Sequence, residues 1–350
     1  MRSLVASLII FILIFQSLST ISPVDDVLKK VKLIEREVES IRGIKPSESP
    51  KFIVITRRDA LMLFSPYVPN EEMKIKELIY KVTFILPPQE TLFKVERENT
   101  ANWIAATVGN KVYVIRENFL KSGDIALRAT AHELTHVLQR ELIKKRPQEQ
   151  TLDERLAFDA LIEGDADLVA DIFCEKNGIR IIKIENISRN NLYWSLNVFP
   201  YVFGDRFVRF LYSKGGWKLV NSAYKEPPTS TKVVMFPELY LQGWKPVQVK
   251  LNVTGVFNDT LGAYYVFLIS WRINNWSEAM NIARHWMGDR IVVVNRSEVI
   301  WKVVFSSEDS AKKFEDTLKH LAMESNFARY EIWREDKTVF MKAQVKPPSS

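Results

Sequence analysis

Ala131-His132-Glu133-Leu134-Thr135-His136-Val137-Leu138-Gln139 holds two of the chain's four histidines. Histidines four positions apart lie one turn apart on one face of a helix, so their ring nitrogens can meet a single Zn²⁺ at about 2.0–2.1 Å. Glu133, next to the first histidine, can then point at a water beside the metal and take its proton. Four histidines in 350 residues would produce this motif by chance about 0.003 times per chain, so a helix with merely solvated His and Glu is the weaker reading. The pattern predicts a helix from about Ser122, as its cap, to about Lys145.

Zinc needs a third protein ligand, either a distant His or an acid on a following helix. Outward along the chain, Ala160-Leu-Ile-Glu163-Gly-Asp-Ala-Asp167 lies in a predicted helix from Thr151 to Glu175, stopped by Asn177-Gly178. Glu163 is far enough from His136 for one loop and two helix turns. Gly164 and Ala166 are small enough to let this helix pack closely on the first. Asp167, one turn after Glu163, could hold a metal-bound His through its other ring nitrogen. Asp159, one turn before, is an alternative acid.

These residues resemble a family. His-Glu-Leu-Thr-His-Val-Leu-Gln followed by Ala-Leu-Ile-Glu-Gly-Asp-Ala is similar to the thermolysin-like Glu-zincin metallopeptidases, in particular to uncharacterised secreted bacterial and archaeal members. Ile41-Arg-Gly-Ile-Lys, Lys111-Val-Tyr-Val and Pro227-Pro-Thr-Ser-Thr231 extend the resemblance. It implies one Zn²⁺ on His132, His136 and Glu163, Glu133 as general base, Asp167 behind a ligand, and a peptide or protein substrate. It also implies a departure. Thr231-Lys232-Val233-Val-Met-Phe236-Pro237 stands where the family pattern has Thr-Glu-Gln-x-x-His-Pro. The expectation is that Phe236 lies beside the metal in place of a polar donor, with Tyr224, Tyr240 or His285 as candidate oxyanion donors. Trp286-Met-Gly-Asp289 is similar to a turn of the same family. The strand Lys111–Ile115 is expected to pair with an extended substrate. The competing reading is a zinc-bearing envelope or binding protein with weak or no hydrolysis.

Around this centre, Val24, Val27, Val31, Ile34, Val38 and Ile41 predict an amphipathic helix ended at Gly43. Lys51–Thr56 reads as a buried strand, Thr56 and Asp59 as a capping box, and Asn70 as the cap of a helix to about Phe84. Trp103–Val108 and Lys111–Ile115 read as a hairpin turning at Gly109-Asn110. Residues 186–230 read as mostly helical. Ile291–Val294, Val299–Phe305, Glu308–Glu324, Tyr330–Arg334 and Val339–Val345 read as β-β-α-β-β, and residues 347–350 as a tail. The expected fold class is α+β: a mainly helical zincin-like core with a small edge sheet over 23–245, and a C-terminal ββαββ subdomain over 246–346.

Arg2, the apolar run Leu4–Phe15 and the small polar residues after it describe a signal peptide or N-terminal anchor over 1–22. The expected location is secreted, or anchored to the outer face of the cell membrane. Sequons at Asn186, Asn252, Asn258, Asn275 and Asn295 agree with it. Richness in Lys, Glu and Ile without disulfides fits a thermophilic archaeon. Composition bounds the rest. At 47% hydrophobic residues with 12 Gly and 15 Pro, the chain is neither disordered nor collagen-like. One cysteine, Cys174, permits no intrachain disulfide and no Cys-rich zinc ribbon. The net charge of +7 is spread along the chain, which predicts a solvated surface and no nucleic-acid partner. His320 is expected on the surface.

Overall fold

Val31, Ile34, Val38 and Ile41 form the buried face of helix α1 (Pro23–Arg42), and Gly43, at φ 68°, ends it. The computed structural model describes residues 23–65, 68–144 and 150–345. Residues 1–22, on which the leader and anchor were read, and the tail 347–350 lie outside them. No helix among the described residues is long and apolar enough to cross a membrane. The expected membrane anchorage is corrected to that extent: none of the described residues supplies a span.

β1 (Lys51–Ile55) leads into α2 (Arg57–Phe64), where Thr56 and Asp59 cap each other's backbone. Asn70 caps α3 (Glu71–Val82), and α4 (Leu92–Thr100) follows the Pro87-Pro88 break. β2 (Ala105–Val108) and β3 (Lys111–Ile115) form the hairpin, with Gly109 at φ 64°. Their sheet has the order β1-β3-β2, with β1 parallel and β2 antiparallel to β3. Two expectations change here. β1 is only partly buried, because it is an edge strand, while Val112 and Val114 of β3 are fully covered. β3 is paired on both sides, so it cannot accept a further strand; the edges that can are β1 and β2.

A short helix α5 (Arg116–Lys121) precedes α6 (Asp124–Gln139). Ser122 does not cap α6. Its hydroxyl donates back to the Asn118 carbonyl at 2.6 Å, and Gly123, at φ 50°, makes the turn. α6 ends at Gln139, short of the expected Lys145. α7 (Leu152–Asn177) has a Thr151–Glu154 capping box and stops at left-handed Gly178. It is buried on nearly every side, as a helix through the middle of a core must be.

α8 (Leu192–Asn197) and α9 (Phe199–Ala223) follow, and α9 crosses α7 at two glycines. A Cβ on Gly164 would sit 2.1 Å from the Gly204 carbonyl oxygen. Gly164 therefore admits α9, not α6 as expected. α10 (Thr231–Met235) and α11 (Pro237–Leu241) lead to β4 (Phe257–Asp259), α12 (Ala263–Ile273) and α13 (Trp276–His285). β5 (Trp286–Asn295), β6 (Glu298–Phe305), α14 (Glu308–Glu324), β7 (Ala328–Glu335) and β8 (Thr338–Val345) complete the chain. Trp286–Asp289, expected as a turn, opens β5 with a bulge. The second sheet is antiparallel throughout, in the order β4-β5-β6-β8-β7.

The fold is α+β, with a mostly helical core and two sheets. One apolar cluster runs from Ile79 through Phe203 and Tyr264 to Trp301 and Leu321, crossing residue 245. Polar contacts follow the same path. Leu152 N donates to Asp259 Oδ1 at 2.9 Å, and Asp153 N to the Thr260 carbonyl at 3.0 Å. The C-terminal half thus holds the N-terminus of α7, whose middle carries the site.

Candidate metal centre

α6 presents His132 and His136 one turn apart, with ring centroids 4.8 Å apart and the planes edge to face. α7 brings Glu163 against both. Its Oε2 lies 3.0 Å from His132 Nε2 and 3.5 Å from His136 Nε2. One ligand atom from each residue falls within 4.8 Å of the others, so the three form a cluster that can hold a metal ion.

The other ring nitrogens are held by acceptors. His132 Nδ1 lies 3.1 Å from Asp167 Oδ1. His136 Nδ1 lies 2.9 Å from Gln139 Oε1. The Gln139 amide is oriented by its own Nε2, which donates to the Ile162 carbonyl at 2.8 Å, so its oxygen accepts. With each Nδ1–H given to an acceptor, a neutral imidazole turns a lone pair outward from Nε2. Two such nitrogens and a carboxylate oxygen then face one another, which needs a shared cation or extra protons between them. That donor set fits a divalent metal. Without one, protons take its place. Burial would lower His132, but the Asp167 and Glu163 carboxylates outweigh it and hold the imidazole up at about 10. His136 is raised in the same way by Glu163 against burial, while the two histidines hold Glu163 low although burial opposes it.

His136 and Glu163 line a cleft of about 870 Å³, and His132 is buried behind them. β2 forms one wall, through Ala105 to Val108, and its outer edge has no strand partner among the described residues. Glu133 lines the cleft. The single hydroxyl proton of Thr107 of β2 is shared between Glu133 Oε2, 2.7 Å from Oγ1, and the Glu133 carbonyl, 3.0 Å from it. Tyr201, near the start of α9, forms another part of the lining, its ring 6.1 Å from that of His132. The negative charge of Glu163, with burial, pushes the Tyr201 phenol well above its usual range, so it keeps its proton.

The candidate oxyanion donors are elsewhere. Tyr224 is buried and donates to Asp165 Oδ2 at 2.5 Å. Asp165 is two residues from Glu163, about 200° around α7, and so faces the other way. Tyr240 donates to the Glu226 carbonyl at 2.7 Å, and His285 Nδ1 pairs with Ser306 Oγ at 2.9 Å. None of the three lines the cleft. The expected place of Phe236 beside the metal is corrected too. Thr231 N donates to Asp153 Oδ1 at 2.8 Å, which ties α10 to α7 ten residues before Glu163, about 15 Å away along the helix. Phe236 is buried with the Arg284 guanidinium 4.7 Å from its ring centre. The residue has a packing role there.

Sequence reasoning missed Tyr201, Thr107 and the orienting role of Gln139. Only Gln139, three residues past His136 on the same helix, carried a local signal. Thr107 and Tyr201 arrive by tertiary packing.

No family model matches the chain, and no curated protein matches it. It is similar to a solved structure from Chloroflexus aurantiacus, described as a candidate hydrolase with a novel fold, at 16% identity over 62% of this chain and 88% of that one. The TM-score of 0.38 is too low to carry an argument about fold or activity. The thermolysin-like membership expected from the sequence is therefore corrected. What stands is the His132–His136–Glu163 cluster itself, an arrangement that can hold a metal ion.

Proposed function

We propose that the protein is a zinc-dependent peptidase that takes an extended peptide along β2. The observation that carries this reading is the convergence of a two-His, one-Glu donor set with a separate carboxylate, Glu133, in one cleft walled by an open strand edge. His132, His136 and Glu163 would hold the metal. When bound, zinc supplies a Lewis acid at neutral pH. The protein's own groups do the rest. Backbone groups of Ala105–Val108 pair with the substrate main chain, which fixes its path but not its side chains. Glu133 accepts the proton of the attacking water and returns it to the leaving amine. Thr107 orients that carboxylate by its hydrogen bond. Tyr201 keeps its proton and donates to the carbonyl oxygen as charge develops there.

The alternative, a zinc-bearing envelope or binding protein with weak or no hydrolysis, drew on the altered 231–237 segment, the sequons and the possible anchor; the packing of Phe236 away from the metal speaks against the first of these. The test is the purified chain on denatured protein, with and without a chelator, beside Glu133→Gln. The variant should keep about one zinc per chain and lose about 10²–10⁴-fold in rate. A chain that binds no zinc, or a fully active Glu133→Gln, would sink the proposal.

A further inference from the structure

We propose that Arg128 is a positioning residue for this metal centre, acting through Asp167 on His132. The inference rests on the metal reading above and extends it beyond the cleft.

Arg128, His132 and His136 recur at four-residue spacing on α6; Glu163, Asp167 and Asp171 recur likewise on α7. The two rows meet as a ladder. Glu163 faces both histidines, Asp167 faces His132 and Arg128, and Asp171 faces Arg128. Arg128 bridges the last two rungs. Its Nη2 donates to Asp167 Oδ1 at 2.6 Å, and its Nε donates to Asp171 Oδ1 at 2.8 Å. Asp167 Oδ1 is also the atom 3.1 Å from His132 Nδ1. A single carboxylate oxygen is therefore held between the guanidinium and the imidazole. All three groups are nearly closed to solvent.

The guanidinium is itself anchored from behind. Asp171 Oδ2 accepts from Lys183 Nζ at 2.6 Å and from Arg209. Lys183 and Arg209 both reach Asp205, at 3.0 and 2.8 Å. Three cations and three carboxylates alternate from the edge of the metal site to α9, which satisfies the rule that buried charges must be paired. The planar fork of arginine can bridge two carboxylates one turn apart; a lysine ammonium has no such fork. Removing the fork leaves Asp167 with one fewer restraint, so the imidazole it orients is less well held for coordination. Outer partners of this kind are worth about 10–100-fold in metal affinity.

The experiment compares wild type, Arg128→Lys, Arg128→Gln and Lys183→Met as full chains. Zn²⁺ affinity is read by competition with a chromophoric chelator, and the visible spectrum is read after Co²⁺ loading. Metal-free thermal melts run in parallel. Arg128→Gln should weaken zinc by about 10–100-fold and shift the Co²⁺ bands, with Arg128→Lys between it and wild type. Lys183→Met should lower the metal-free melting temperature yet keep affinity within about twofold, since it does not touch Asp167. Wild-type affinity and spectrum in the Arg128 variants overturn the proposal, whatever their melts show. Equal weakening by Lys183→Met also overturns it, because the effect is then general loosening. If Arg128→Gln does not fold, Arg128→Lys decides alone. A wild-type chain without zinc affinity overturns the metal reading first, and this inference with it.

Discussion

Tyr201 stands at the cleft, and the three donors the sequence offered, Tyr224, Tyr240 and His285, do not. It lines the cleft, sits against His132 and keeps its phenolic proton. Tyr201→Phe removes only the hydroxyl, so stability should barely change. The turnover number should fall by about 10²-fold with little change in KM, the signature of a donor used in the transition state. Steady-state kinetics on one peptide check this. An unchanged turnover number would return the donor role to zinc alone. Tyr224, by contrast, is already committed to Asp165, so Tyr224→Phe is a stability variant and not a kinetic one.

At the scale of elements, the α7–α9 crossing sets how well the site is held. A Cβ on Gly164 would meet the Gly204 carbonyl oxygen at 2.1 Å, and one on Gly204 would meet the Ala160 carbonyl oxygen at 2.3 Å. Backbone cannot yield as a side chain can. Gly164→Ala should therefore cost about 3 kcal/mol, read as a lower urea midpoint, and should loosen Glu163 beside it. The N-terminus of α7 adds a pH dependence. Burial raises Asp153 to about 7 despite its bonds to Thr231, and raises Asp259 to about 6. The folded state therefore binds protons that the unfolded state has released. The contribution of these two groups is full below the ordinary aspartate pKa and is lost as pH rises through about 6 and then about 7. Asp153→Asn should flatten that fall, and its melting temperature should exceed wild type at pH 8 more than at pH 5. Equal differences at both pH values would show that Asp153 is ionised in the fold.

For the whole molecule, metal and fold should be linked. The three ligands come from two helices that pack in the core, so an ion bound to them stabilises the native state alone. Zinc at about 100 times its dissociation constant should add about 2.7 kcal/mol, and a chelator should reverse it. Calorimetry of the full chain with zinc and then with excess chelator measures this. An unchanged melting temperature would mean that the cluster binds metal too weakly to matter.

Much of this was legible in the chain. Helical spacing alone puts His132 and His136 on one face, and capping chemistry marks α2, α3 and α7, because both depend on residues within one turn of each other. The ββαββ run was readable for the same reason, since β6, β7 and β8 alternate within themselves and β5 carries an apolar run. Tertiary structure decided the rest. Which strand is an edge depends on how β1 returns to pair with β3, a contact between residues sixty apart. Whether Phe236 faces a metal or an arginine depends on where Asp153 ties α10. Tyr201 reaches the cleft only because Gly164 and Gly204 let α9 cross close to α7. Such contacts join residues far apart in the chain, and no local spacing encodes them.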